Sequence, residues 1–311
     1  MGNLLETEIS KYWHRAVGSV FHNEDELKAY KGNLYHYTSS DGLRGILESQ
    51  KIWGTEASYL NDSQEIKYGI DLAVKTLVKC SSGKRGWVTD VVHQAIDAVG
   101  RNTGEEIYLA CFCEKGDLLS QWKGYSKFGE GYSLGFSASE LSRFKRKYPF
   151  VNISIRKVIY GREPQERVVK SEFESIAKQT EPLIGKYRGD RDKIIKTAAS
   201  CLAYCLKAQL VRFKAESFRE EHEWRAIYIN SERNEEGRQT VKFRVSEGHV
   251  VPYIELDIAP SAQKQVWFLP IAEIVVGPKV DVSRAKRSID LLYKNMLRGS
   301  PIVRSSNVRL Q

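Results

Sequence analysis

Two periodicities alternate along the chain. After Ser39-Ser40-Asp41, a helix-cap sequence, Leu43, Ile46 and Leu47 recur at three- and four-residue spacing. The same spacing returns over residues 63–80, where Ile66, Ile70, Ala73 and Leu77 fall on one side. It predicts further helices over 88–99, 171–214 and 282–297, the second broken near Pro182–Gly189. The first thirty residues also read as helical, with Asn23-Glu24-Asp25-Glu26 as cap and first turn before Leu27.

Between these lie short runs of strand type. Asn33–Thr38 is aromatic, Ile107–Cys113 is continuously apolar, and Gly131–Phe136 is a third. Val151–Tyr160, Glu223–Ile229, Gln239–Val245, Val250–Leu256 and Ile271–Val276 complete the set, the last expected to close the sheet. Helices set between clusters of short strands predict an α+β fold with a largely antiparallel or mixed sheet. No internal repeat or low-complexity linker interrupts the pattern. The expected organisation is an N-terminal helical extension over 1–32 and a single α+β catalytic-type domain over 33–280. That domain carries a helical insertion near 171–214, and a C-terminal helix with a basic tail follows over 281–311.

Composition narrows the class. A chain of 311 residues that is 41% hydrophobic can build a sizeable core, which excludes a disordered or collagen-like protein. Five cysteines are too few and of the wrong parity for a disulfide scaffold, so free thiols in a reducing cytoplasm are expected. Met1–Glu6 lacks the features of a secretory signal, and the apolar stretches at 198–206 and 271–276 are too short to cross a bilayer. No membrane association is expected.

Charge adds a partner class. Forty-eight Lys and Arg against 39 Asp and Glu give +9, and the excess is local. Residues 141–170 carry a net +7 and residues 279–311 a net +6, leaving −4 for the rest. Arg143, Lys145, Arg146 and Lys147 are the densest part. Such segments suit a phosphate backbone, so nucleic acid is an expected partner through 141–170 and 279–311.

Several catalytic signatures are absent: GxxxxGK(S/T), GxGxxG and HExxH do not occur. Cys111-x-Cys113 and Cys201-x3-Cys205 lack zinc-knuckle spacing and read as free thiols. His36 sits at a strand end directly before a helix cap, where fixed side chains meet ligands; the alternative is a packed histidine with a backbone partner. Asp62 and Glu65 have the positions of a capping box. Ser120-Gln121-Trp122-Lys123-Gly124-Tyr125 suits stacking on a planar ring, or packs Trp122 inward. In Glu221–Ile227, alternation puts Glu221, Glu223 and Arg225 on one side and His222 and Trp224 on the other. A carboxylate beside an arginine is a simple ion pair or a catalytic carboxylate held in orientation.

The order of these motifs carries a resemblance. It runs from Tyr35-His36-Tyr37-Thr38 through Leu60-Asn61-Asp62 with Glu65, Cys111-Phe112 and Ser120-x-Trp122-x-x-Tyr125. Gly131 to Phe136, Glu223-Trp224-Arg225 and Ile274–Pro278 follow. Over about residues 33–280 the chain resembles a bacterial domain-of-unknown-function family, number 2971. More distantly it resembles ADP-ribosyltransferases of the His-Tyr-Glu type.

That second resemblance implies an ADP-ribosyltransferase-like core and NAD as co-substrate, with no metal expected. It also implies a toxin or phage-defence effector modifying nucleic acid or protein, with a neutralising or sensor protein as partner. Carried over by position, Glu223 is the catalytic carboxylate and His36 the ribose contact. Tyr37 lies beside that contact, Tyr125 stacks on nicotinamide with Ser120 just before it, and Tyr132 is the reserve for stacking.

Two other classes fit the same residues. A metal-dependent nuclease would gather Mg²⁺ on Asp62, Glu221 and Glu223, with Arg225 where the usual acidic-x-lysine element has lysine. A non-catalytic module would bind nucleic acid through the basic segments alone.

Overall fold

The computed structural model describes residues 2–22, 25–60, 63–100, 106–143, 153–230, 240–246, 248–259, 268–296 and 298–309. The chain begins with helices α1 (Gly2–His22) and α2 (Asp25–Ala29), then β1 (Asn33–Thr38), α3 (Ser40–Ser49) and β2 (Ile52–Glu56). Two helices follow, α4 (Ser63–Ser81) and α5 (Trp87–Gly100), then β3 (Glu106–Cys113), α6 (Leu119–Tyr125), β4 (Tyr132–Ser137) and α7 (Ala138–Leu141). Next come β5 (Ile153–Lys157), β6 (Ile159–Tyr160), α8 (Arg162–Lys186), α9 (Arg191–Leu210) and β7 (Phe213–Lys214). The last part holds β8 (Glu223–Asn230), β9 (Lys242–Ser246), β10 (His249–Leu256), β11 (Ile271–Val276), α10 (Val282–Asn295) and β12 (Ile302–Ser305).

The expected α+β class holds. A ten-stranded sheet runs β12-β11-β4-β1-β3-β2-β10-β9, with β8 on the other edge of β3 and β5 beyond it. Every pairing in it is antiparallel except β11 with β12. β3 is where this sheet forks. One edge pairs with β8 along its whole length, Glu106↔Asn230 to Cys113↔Glu223. The other edge is shared: β1 meets it only at Tyr35↔Cys113, and β2 only at Thr55↔Leu109 and Glu56↔Tyr108. Residues 110–112 lie between the two branches.

Alternation along β3 and β8 divides the side chains between two layers. Tyr108, Ala110, Phe112, Trp224, Ala226 and Tyr228 join one core with residues of α2, α3 and α10. Leu109, Ile227 and Ile229 face the other way and meet Val17, Tyr204, Cys205 and Ala208 of the helices. Those helices, α1, α4, α5, α8 and α9, have a hydrophobic core of their own. The N-terminal helix is thus part of the helical layer, with Leu5, Tyr12 and Ala16 buried in it.

Three expectations shift. The insertion begins at Arg162 rather than 171, and Pro182 sits inside α8 without breaking it. Pro182 lies on the exposed side, where water can take the carbonyl that its missing N–H leaves free. The break falls at Tyr187–Asp190, at the end of the stretch near Pro182–Gly189 where the sequence placed it. β11 does not close the sheet, because β12 pairs parallel to it from within the C-terminal tail. Val151–Tyr160 divides at Val158: its N–H still donates to Glu223 O of β8 at 2.9 Å, whereas Ile159 N donates to Arg212 O at 2.7 Å, beside β7. Ser39 caps α3 as expected, accepting from Gly42 N at 3.2 Å. Among the described residues no helix is long and apolar enough to cross a membrane.

Candidate functional site

Glu223 opens β8, directly after His222, which turns the chain in a left-handed conformation at φ 44°. Its side chain points toward the helical layer and is only 3% exposed. A carboxylate in that position demands cations. Arg225, two residues along the same face, donates from Nε to Glu223 Oε1 at 2.7 Å and from Nη2 to Oε2 at 3.0 Å. Lys214 of β7 reaches Oε2 at 3.0 Å.

The network extends through both cations. Lys214 Nζ also contacts Glu221 Oε2 at 2.7 Å and Glu65 Oε1 at 3.3 Å. Arg225 donates to Glu65 Oε2 at 2.8 Å and to the carbonyl of Val211 at 2.6 Å. Burial would raise the Glu223 carboxyl, but Arg225 and Lys214 outweigh it and hold it down to about 2. Burial also opposes charge on Lys214, yet its carboxylate neighbours raise it above the usual lysine range. Glu221 is raised, chiefly by burial. Three carboxylates share two cations, so the cluster carries one excess negative charge at an interface between layers.

Residues 121–226 match a family model described as a protein of unknown function, DUF2971. The matched stretch carries Tyr125, Lys214, Glu221, Glu223 and Arg225, while Glu65 and Cys111 reach the cluster from outside it. No curated protein and no solved structure matches the chain.

Cys111 joins the cluster to the fork. Its thiol faces the Glu223 carboxylate, and burial together with that charge raises it far above an ordinary thiol, so it stays protonated and donates. Its carbonyl, on the unpaired stretch of β3, accepts from His36 Nδ1 at 2.8 Å. The imidazole therefore stands in for a missing strand partner. Burial lowers the His36 pKa, and the positive charge of Arg244 acts in the same direction against the Cys111 carbonyl. A neutral ring with its proton on Nδ1 leaves Nε2 free of a proton, as an acceptor.

The candidate residues divide accordingly. Tyr125 packs against the cluster of Tyr37, Cys113, Trp122 and Val275, and burial together with the nearby Glu223 carboxylate raises its phenol strongly. Tyr125, Cys111 and Glu223 are thus together. His36 lies across Cys111 from them: its ring is on the Phe112 side of the sheet, 5.7 Å from that ring. Tyr37 is committed to structure, donating to Lys115 O at 2.8 Å and accepting from Leu118 N at 2.9 Å. Trp122 packs inward, fully buried, its indole bound to Asp117 at 2.7 Å. The Ser120 hydroxyl is buried without a hydrogen-bond partner. Tyr132 is buried in the other core, in β4.

Asp62, Lys145, Arg146 and Lys147 lie outside the described residues. Glu65 spends both oxygens on Arg225 and Lys214, which makes it an ion-cluster residue. The basic excess over 141–170 is partly neutralised. Arg143 pairs with Glu140, Arg156 with Glu26, and Lys157 with Glu114. Arg162 and Arg167 pair along α8 with Glu166 and Glu163. Lys214 was not singled out from the sequence. It sits between Arg212 and Arg219 ahead of Glu216, Glu220, Glu221 and Glu223, a mixture of signs that alternation alone cannot turn into contacts.

Proposed function

We propose that this protein is an NAD-consuming, ADP-ribosyltransferase-like enzyme with Glu223 as its catalytic carboxylate. One observation carries the reading: an ionised carboxylate, locked in orientation by two cations, stands beside Tyr125 and Cys111 where the sheet forks. In the reaction the bond between nicotinamide and ribose C1′ breaks, and the electron pair leaves with neutral nicotinamide. Positive charge develops on the ribose, and a fixed carboxylate stabilises it without reorganising. A nucleophile of the acceptor then bonds to C1′ and gives up its proton.

Tyr125 supplies an aromatic face for the nicotinamide, and His36 offers Nε2 to a ribose hydroxyl at the edge of the fork. The unpaired Ser120 hydroxyl, on the helix of Tyr125, is suited to a polar ligand group. The acceptor class is a nucleic acid or a protein, within a toxin or phage-defence setting.

The test is nicotinamide release from NAD, followed chromatographically with and without EDTA. Glu223→Gln should lower release by about a hundredfold or more, and EDTA should leave it unchanged. Release by Glu223→Gln at the wild-type rate, or its abolition by EDTA, would sink the reading.

A further inference from the structure

Arg244 occupies β9, the outermost strand of its branch, opposite Val251. Its guanidinium reaches across β10 and donates from Nη2 to Thr55 Oγ1 on β2 at 2.8 Å. The guanidinium carbon lies 5.6 Å from the centre of the Trp53 ring and 5.8 Å from that of Tyr253. Those two rings are themselves 5.0 Å apart. Trp53 is fixed from the side of α3, where Gly45 leaves no room for a β-carbon beside the indole.

Two of its polar atoms lack a hydrogen-bond partner. Arg244 Nε is buried with no hydrogen-bond partner, and so is Trp53 Nε1. Among the described residues Arg244 forms no ion pair. The nearest acid along β10, Glu255, is already shared by Lys242 at 2.8 Å and Lys51 at 3.6 Å. Counting Arg244, Lys242, Lys51 and Glu255, the corner carries +2. A buried donor without a partner is costly to keep in a fold. The contrast is with Arg225, every arm of which is met.

We infer that Arg244 and Trp53, braced by Tyr253 and Thr55, form a binding site for a phosphoryl oxyanion carried by a nucleotide or a nucleic-acid backbone. The guanidinium Nε and the indole N–H both donate to its oxygens. A guanidinium fork held on two aromatic faces suits a phosphate better than a point charge would. The excess of positive charge favours a group with more than one negative charge. The site shares no residue with the Glu223 cluster, and the inference stands whether or not Glu223 is catalytic.

The test is titration of the full-length protein with inorganic pyrophosphate, read on the Trp53 indole N–H resonance and on the melting temperature. A saturable shift of that resonance and a rise in melting temperature over matched chloride are expected. Arg244→Met should weaken binding about tenfold or more, and Arg244→Lys should fall between. Arg244→Met removes an unpaired charge and should melt no lower than wild type; if it fails to fold, Arg244→Lys and Trp53→Phe carry the comparison. Glu223→Gln should bind pyrophosphate normally, which separates this site from the acid cluster.

Competition by ADP-ribose or by a single-stranded oligonucleotide then identifies the source of the phosphate. Displacement by neither, an unmoved Trp53 resonance, or wild-type affinity in both Arg244 variants would overturn the inference.

Discussion

His36 and Glu223 meet on one residue without meeting each other: the imidazole holds the Cys111 carbonyl at 2.8 Å, and the Cys111 thiol faces the carboxylate. The pairing follows from the fork. Where β1 and β2 part, β3 leaves a carbonyl without a strand partner, and a buried carbonyl requires a donor. His36 is the residue of β1 nearest the gap.

Removing that donor should be costly. His36→Ala is expected to lose about 1–3 kcal/mol in urea denaturation, the cost of an orphaned buried acceptor. Its pH dependence has a definite sign. Burial lowers the folded pKa, so the unfolded chain takes up a proton first as pH falls through 6.5. Stability from His36 is full above that value and declines below it. The difference between wild type and His36→Gln should therefore shrink from pH 7 to pH 5.

Lys214→Met should be the most damaging change in the acid cluster. It leaves Glu65 and Glu223 to Arg225 and takes from Glu221 the cation it contacts, and breaking such a buried set by removing one partner costs about 3–5 kcal/mol. Lys214→Arg should recover part of the loss. Equal stability of Lys214→Met and wild type in urea would mean that water reaches the cluster freely.

Glu223 gives a second, more acidic signature. Its folded pKa is depressed to about 2, so its stabilising contribution is complete above the unfolded carboxyl value of 4.5 and is lost as pH falls from there towards 2. Glu223→Gln should lack that arm. Acid titration by circular dichroism from pH 6 to pH 2 measures the difference between the two proteins.

Tyr37→Phe tests a structural assignment. The hydroxyl ties Lys115 O and Leu118 N to β1, so its loss should speed hydrogen exchange at Leu118 and cost about 1–3 kcal/mol. Catalytic parameters of nicotinamide release should change less than in Tyr125→Phe or Tyr125→Ala.

Charge reversal at Lys145, Arg146 and Lys147 addresses the acceptor. If these residues hold a phosphate backbone, oligonucleotide affinity falls and the slope of log affinity against log salt flattens by about one for each phosphate no longer neutralised. Unchanged, salt-insensitive binding would remove nucleic acid from the list of partners for this segment.

The sequence by itself determined the elements. Helical spacing and short β-branched or aromatic runs are local properties, so α3, α4, α5, β1, β3, β8 and β11 could be read directly, as could the antiparallel α+β class. It also put Glu223 and Arg225 on one face, because alternation is intrinsic to a strand. What it could not carry was distance between elements. The stretch 182–189 marked a break without showing that α8 runs on through Pro182 to Lys186, and β12 is four residues laid along the edge of β11.

Tertiary structure alone decided the sites. Glu65 looked like a cap residue and became a partner of Arg225 across 160 positions, and Lys214 joined three carboxylates. Arg244 became, among the described residues, a cation without a counter-ion only when β9, β10 and β2 were laid side by side. Charge and hydrogen-bond satisfaction depend on which strands share a layer, and local sequence spacing does not encode that.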